Sequence, residues 1–139
     1  RRDLAVYYYE TNRFPEAESL LRELLRRHPQ DEVALFYLGL ILQARHRLDE
    51  ALLLFERIQN QNPAFTEVYY NLGTIYGEQR RLGQAHYFLG LHSRMAKDWP
   101  TALFHFRTAL KYLNTTDKYY PEALAEVARL ERLRVRVRP

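Results

Sequence analysis

EVALFYLGLILQARHRLDEALLLFERIQNQNPAFT, residues 32–66, holds two amphipathic helical patterns split by a short basic turn. Leu35, Leu38, Gly39 and Leu42 fall on one helical face, and Ala51, Phe55 and Ile58 form a second stripe. Residues three and four apart share a face of a helix, and Pro63 cannot extend one, so the segment reads as helix, turn, helix, stop. The template recurs at one fixed step. Pro29 and Pro63 stand 34 residues apart, as do Ala17, Ala51 and Ala85, and so do Ala5, Gly39 and Gly73. A self-similar period of this length with helix–turn–helix patterning marks a stack of helical repeats.

Towards the N-terminus, Leu4, Ala5 and Tyr8 mark a first helix over about 3–11, Pro15 suits the first turn of the next, and Ala17, Leu20, Leu21, Leu24 and Leu25 give its apolar stripe. Asp31 is placed to cap the helix that opens the quoted segment, and Asp49 to open its second helix. Towards the C-terminus, Tyr69, Leu72, Gly73 and Tyr76 repeat the pattern. Then the register changes. Leu89-Gly90 follows Leu72-Gly73 by 17 residues, half a period, with Ala102, Phe106 and Ala109 at the offsets a further repeat requires. The helix over about 84–95 therefore serves both as second helix of one repeat and first helix of the next. After the Asp98-Trp99-Pro100 turn and a helix over 101–113, a closing helix over about 121–135 is expected. Ala123, Leu124, Val127, Leu130 and Leu133 would form its buried side, and Glu122, Glu126, Arg129 and Arg132 its outer side. The ending Arg134 to Pro139 loses the helical period and reads as a frayed tail.

Leu38-Gly39, Ala51, Phe55 and Pro63, with their equivalents, resemble the tetratricopeptide repeat. The resemblance implies an all-α, right-handed solenoid of antiparallel helix pairs, about eight helices with a capping helix at the C-terminal end. The whole chain, 1–139, is then one such domain, with repeats at about 1–31, 32–65 and 66–97, the last overlapping 83–116. In that register Arg1 falls at the fourth position of a first repeat, so the sequence reads as a fragment of a longer protein. A narrower resemblance rests on 85–133: Ala85-His-Tyr-Phe-Leu-Gly-Leu91, the Lys97-Asp98-Trp99 turn, Thr101-Ala-Leu-Phe-His-Phe106 and the closing helix. This portion resembles the C-terminal repeat domain of bacterial periplasmic zinc metallopeptidases of the β-barrel assembly-enhancing protease family. It implies a periplasmic location, and outer-membrane protein precursors or their assembly machinery as partners.

Composition narrows the chemistry. Hydrophobic residues make up 47% of the chain, too many for a disordered one, and no apolar run is long enough to span a membrane. With no cysteine there is no thiol chemistry, disulfide or zinc knuckle. No His-Glu-x-x-His, phosphate loop or Gly-x-Ser-x-Gly occurs, and His28, His46, His86, His92 and His105 lack metal-ligand spacing. The chain is thus expected to be no enzyme in itself, with no cofactor and no metal.

A binding surface is the better reading. In repeats of this kind the second, fifth, ninth and twelfth positions of each first helix line an inner groove. Here they include Val6 and Tyr9 in the first repeat and Phe36, Leu40 and Gln43 in the second. Glu67 and Tyr70 follow in the third, and Tyr87, Leu91 and Arg94 in the half-step helix. Seven of these ten are apolar or aromatic, an alignment that a solvated face does not normally keep. Burying one such side chain contributes roughly 1.5–3 kcal/mol. Three or four, after association costs, suffice for roughly micromolar binding of a polypeptide segment, with Gln43, Glu67 and Arg94 setting register. The alternative is that the closing helix, or a catalytic domain elsewhere in a longer protein, already fills the groove.

Repeats that clamp the acidic C-termini of chaperones carry Lys and Asn at set positions. Arg2 could stand for the first of these, but Val6, Tyr37 and Glu67 do not fit the others. The formal charge of +4 and the run Arg129, Arg132, Arg134, Arg136 and Arg138 offer a second function, a basic scaffold for nucleic acid or anionic lipid. The tail lacks interleaved aromatics on which bases would stack, which argues against nucleic acid.

Overall fold

The computed structural model describes residues 2–137, with side-chain surroundings through 134. Among the described residues every regular element is an α-helix: α1 (Arg2–Glu10), α2 (Phe14–Arg27), α3 (Glu32–Ala44), α4 (Leu48–Gln61), α5 (Glu67–Glu78), α6 (Leu82–Met95), α7 (Trp99–Tyr112) and α8 (Tyr119–Val137). They fall into two compact units, divided between Val68 and Tyr69.

Local chemistry sets the helix boundaries. Pro15 lies in the first turn of α2, where its missing N–H is no loss. The Asp31 carboxylate accepts the Ala34 N–H at 3.1 Å to start α3, and Asp98 accepts the Thr101 N–H at 3.3 Å to start α7. Asp49 stands at the opening of α4, as expected: the helix begins at Leu48, and Asp49 sits within its first turn, where a negative charge suits the helix dipole.

The turns repeat more faithfully than the side chains. Asn12, His46, Arg80 and Lys97 all adopt left-handed backbone, with φ of 61°, 59°, 60° and 63°. Each is followed by a residue whose N–H reaches back to the last helical turn: Arg13 to the Tyr8 carbonyl at 2.7 Å, Arg47 to Leu42 at 2.8 Å, Arg81 to Tyr76 at 2.9 Å, Asp98 to Ser93 at 2.9 Å. These bonds satisfy carbonyls that a helix end leaves open, and they hold a conformation that costs a non-glycine residue about 1–2 kcal/mol. The first three turns are a full period apart and the fourth follows by half a period, so the half-step is built into the backbone.

The same half-step governs packing. A Cβ added at Gly39 would stand 2.6 Å from the Phe55 ring. One at Gly73 would meet Leu89 at 2.8 Å, and one at Gly90 would meet Phe106 at 2.7 Å. Each partner lies on the following helix, sixteen residues on. Absent side chains at these crossings let α3 and α4, α5 and α6, and α6 and α7 come together, at a helix-propensity cost of about 1 kcal/mol per glycine. The helix α6 thus supplies Leu89 to one neighbour and accepts Phe106 from the next. Phe55, Phe88 and Phe106 are fully buried, as are Leu38 and Leu42 of α3 and Leu72 and Ile75 of α5.

The closing helix departs from expectation in extent and in face. It starts at Tyr119, whose N–H is held by Asp117 Oδ1 at 2.8 Å, and it runs on through 137 instead of fraying after 134. Residues 138 and 139, also assigned to the frayed tail, lie outside the described residues. Ala123 and Leu130 are buried as expected. Leu124, however, is 52% exposed, and Glu126, assigned to the outer side, is only 6% exposed. The reason is a partner: Glu126 accepts from Arg94 of α6 and from Arg129. That pairing turns the 123–126–130 stripe inward and Leu124 outward.

Candidate protein-interaction surfaces

In the first unit two of the expected inner-face residues, Tyr9 and Phe36, are joined through Tyr37, and Phe65 extends the row; neither Tyr37 nor Phe65 was among the expected positions. Tyr9 of α1 meets Tyr37 of α3 edge-on, with ring centroids 5.5 Å apart. Tyr37 adjoins Phe36 at 5.8 Å, and Phe36 adjoins Phe65 at 5.2 Å. The rings form a continuous row, and tilted or edge contacts at these separations each add about 0.5–1.5 kcal/mol beyond burial. Phe36 also rests on Phe55 at 5.9 Å, so one side of the row is fastened to the core. The row is half-buried, as are Val6, Leu40 and Gln43. Burial, with Tyr37 and Glu10 adding to it, raises the Tyr9 phenol above its ordinary value, so it stays a neutral donor at physiological pH. Glu67 is exposed and takes the Thr66 hydroxyl at 3.4 Å.

A charge cluster ties the hairpins of this unit together. Glu18 of α2 receives Arg22 at 2.9 Å, Arg45 at 3.1 Å and Arg47 at 3.2 Å, while Glu50 receives Arg47 at 2.9 Å. Burial opposes ionisation of Glu18, but Arg22 and Arg47 together outweigh it and hold the carboxyl below its usual value.

The second unit treats its inner-face residues differently. Tyr70 of α5 is open to solvent at 52% exposure, its ring 5.4 Å from His92. Tyr87 and Leu91 of α6 are buried instead, and Arg94 is engaged by Glu126. Tyr87 stacks on Tyr119 of α8 with centroids 4.7 Å apart. Burial, reinforced by Glu122 and Glu126, drives the Tyr87 phenol far above its ordinary value. Tyr87 and Arg94 are therefore engaged by α8, and Leu91 is buried, so these positions do not form an open groove.

Two arrangements were not foreseen. On α6 and α7, His86 Nδ1 and His105 Nδ1 stand 3.0 Å apart, so one ring donates and the other accepts. Burial lowers the pKa of both, and for His105 the neighbouring His86 lowers it further. Among the described residues, no three His, Asp or Glu side chains converge as metal ligands. The second arrangement is a cavity of about 630 Å³ between α7 and α8. Leu103, Leu130 and Leu133 form its floor, with Trp99 and Phe104 on its walls. Arg107, Lys111 and Arg134 stand around it. Its signal in the sequence was Phe104, an aromatic off the Ala102–Phe106–Ala109 stripe; at 58% exposure it serves no core. No helix among the described residues is long and apolar enough to cross a membrane.

A family model described as tetratricopeptide repeat matches residues 2–65. Among solved structures, a double mutant of MamA (MamA RS-1) aligns with a TM-score of 0.56 at 18% identity, covering 96% of this chain and 93% of that one. MamA from residue 41 to its end, from Desulfovibrio magneticus RS-1, aligns with a TM-score of 0.51 at 15% identity, covering 99% and 95%. No curated protein matches the chain. Helix pairs, glycine crossings and these likenesses define an all-α fold of tetratricopeptide-repeat type. Residues 2–65, which that family model matches, thus carry repeats of a type that forms protein-interaction units.

Proposed function

We propose that the chain binds segments of polypeptide along the first-helix face of its first unit. The observation that carries this is the row Tyr9–Tyr37–Phe36–Phe65, half-exposed and fastened to the core on one side, with Val6 and Leu40 also half-buried. A rigid aromatic row offers apolar area at low ordering cost, which favours a ligand that arrives disordered. Sequence-independent capture of extended or partly unfolded chain is the activity such a surface performs.

The resemblance of 85–133 to periplasmic metallopeptidase repeat domains supports a finer reading. In it, the partners are outer-membrane protein precursors or their assembly machinery, held for a zinc protease in the periplasm. Cell fractionation that finds the protein in another compartment would remove this finer reading and leave the coarser one standing. Binding of nucleic acid or anionic lipid through the basic C-terminal run is less favoured. Arg129 is occupied by Glu126, and Arg138 lies outside the described residues.

The test uses a labelled polypeptide kept unfolded by carboxymethylation, with binding read by fluorescence anisotropy. The triple variant Val6→Ser, Tyr9→Ser, Leu40→Gln is expected to weaken binding at least tenfold with its helical circular dichroism intact. Raising salt from about 50 to 500 mM is expected to change wild-type affinity little, since phosphate-type binding would fall by orders of magnitude over such a range. Equal binding by the triple variant, or a steep salt dependence, would place the activity elsewhere.

A further inference from the structure

The cavity between α7 and α8 has an apolar floor, aromatic walls and charge of one sign around it. Arg107 is paired with Glu131, while Lys111 and Arg134 have no ion pair among the described residues. Such a rim favours carboxylates, and the floor favours bulky apolar side chains. The stretch of α7 from Trp99 to Lys111 is about 18 Å long at helical rise, the length of a three-turn helix.

The molecule itself shows what fits beside such a helix. In the first unit, Glu18 and Arg22 of α2 receive Arg47 and Glu50 from the start of α4. The Ala17-to-Ala102 offset carries Glu18 and Arg22 onto Leu103 and Arg107, and both line the cavity. The groove is thus the α7 counterpart of the place where α2 meets the start of α4 through ion pairs. It is not shaped for one more repeat of the same kind. The full period that carries Gly39 to Gly73 carries Gly90 to Leu124, where a side chain bars the close crossing that Gly39 and Gly90 allow. Nor does a second copy suit it, because the chain is cationic overall, at +4, and the rim is cationic too.

We infer that the α7–α8 groove is a second docking site, for an acidic amphipathic helix of another protein. The partner sets apolar side chains at i, i+3 and i+7 on the leucine floor, against Trp99 and Phe104. Its flanking Glu or Asp residues face Lys111 and Arg134. The site is separate in residues from the aromatic row of the first unit, so the two are tested independently.

The experiment is a display selection on the full chain. The library holds fourteen-residue helices with Leu fixed at those three positions and flanking positions drawn from Glu, Lys, Gln and Ser. Enriched peptides are expected to be acidic at the flanks. Their binding, measured by anisotropy, should fall at least tenfold in Phe104→Ser and in the double variant Lys111→Glu, Arg134→Glu. Phe104 is exposed, so its loss leaves folding intact, and a charge-reversed peptide should regain affinity for the double variant. Binding should be indifferent to Val6→Ser, Tyr9→Ser, Leu40→Gln. No enrichment, flanks without acidic bias, or binding that ignores the groove variants would overturn the inference. So would displacement of the selected peptide by an equimolar single-stranded RNA, which would assign the groove to nucleic acid.

Discussion

The hairpins α3–α4 and α6–α7 obey the same local rules and present different surfaces. Both cross at a glycine under a buried phenylalanine, Gly39 under Phe55 and Gly90 under Phe106. Both turn through a left-handed residue, His46 and Lys97. In the first, α3 keeps Phe36 and Leu40 half-open. In the second, the equivalent positions on α6, Tyr87 and Leu91, are buried, Tyr87 against Tyr119 of α8. A repeat therefore specifies how helices cross. Whether the face so made is free depends on what packs on it, here a helix tied by the Arg94–Glu126 and Arg107–Glu131 ion pairs, the Tyr87–Tyr119 stack and the burial of Ala123 and Leu130.

The largest expected effect tests whether the two crossings are equivalent. Phe55→Ala and Phe106→Ala should each cost about 3–5 kcal/mol, measured by urea unfolding, because both rings are fully buried and leave a cavity. A cost at Phe106 less than half that at Phe55 would mean the half-step crossing is looser than a full one. Next come the glycines. Gly39→Ala and Gly90→Ala should each lose about 1–3 kcal/mol through overpacking against rings that cannot move away. Gly77→Ala, where a Cβ would find its nearest neighbour at 4.0 Å, should instead gain up to about 1 kcal/mol of helix propensity.

A comparable but smaller loss is expected on releasing the cover. Glu126→Gln removes the charge that faces Arg94 and Arg129 and should cost about 1–2 kcal/mol. Amide exchange in α8 should quicken while α3 is unchanged. Parallel quickening in both would mean that α8 supports the whole fold and is not a local cover.

The smallest effect is a pH dependence peculiar to the second unit. His86 and His105 have folded-state pKa values below the ordinary value near 6.5, so the unfolded chain takes up protons first as pH falls. The stability they allow is present above the unfolded value and is lost on acidification through it towards the folded values. Between pH 7.5 and 5 the wild type should lose stability more steeply than His105→Leu. Identical slopes would show that the pair takes up protons alike in the folded and unfolded chain, contrary to the lowered folded-state values.

Much of this was legible because the repeat is written in residues whose size or backbone is decisive. Glycine, alanine and proline at fixed steps carry the helix pairs and the half-step, whereas Tyr37 and Phe65 of the aromatic row fall outside the expected inner-face positions. The closing helix was less legible, for a physical reason. Periodicity assigns charged residues outward, yet Glu126 is buried by an arginine 32 residues earlier, and no local pattern carries that pairing. His86 and His105 meet only because α6 and α7 fold back on each other, so their spacing of 19 matches no motif. The α7–α8 cavity left one trace, an aromatic at 104 off the core stripe.

The most direct measurement of the contrast is site-specific photo-crosslinking with the carboxymethylated polypeptide. Benzoylphenylalanine replaces Tyr9 in one protein and Tyr87 in another. Capture of the polypeptide is expected from position 9, and from position 87 a link only to α8 within the same chain. Capture of the polypeptide from position 87, with none from position 9, would contradict that expectation.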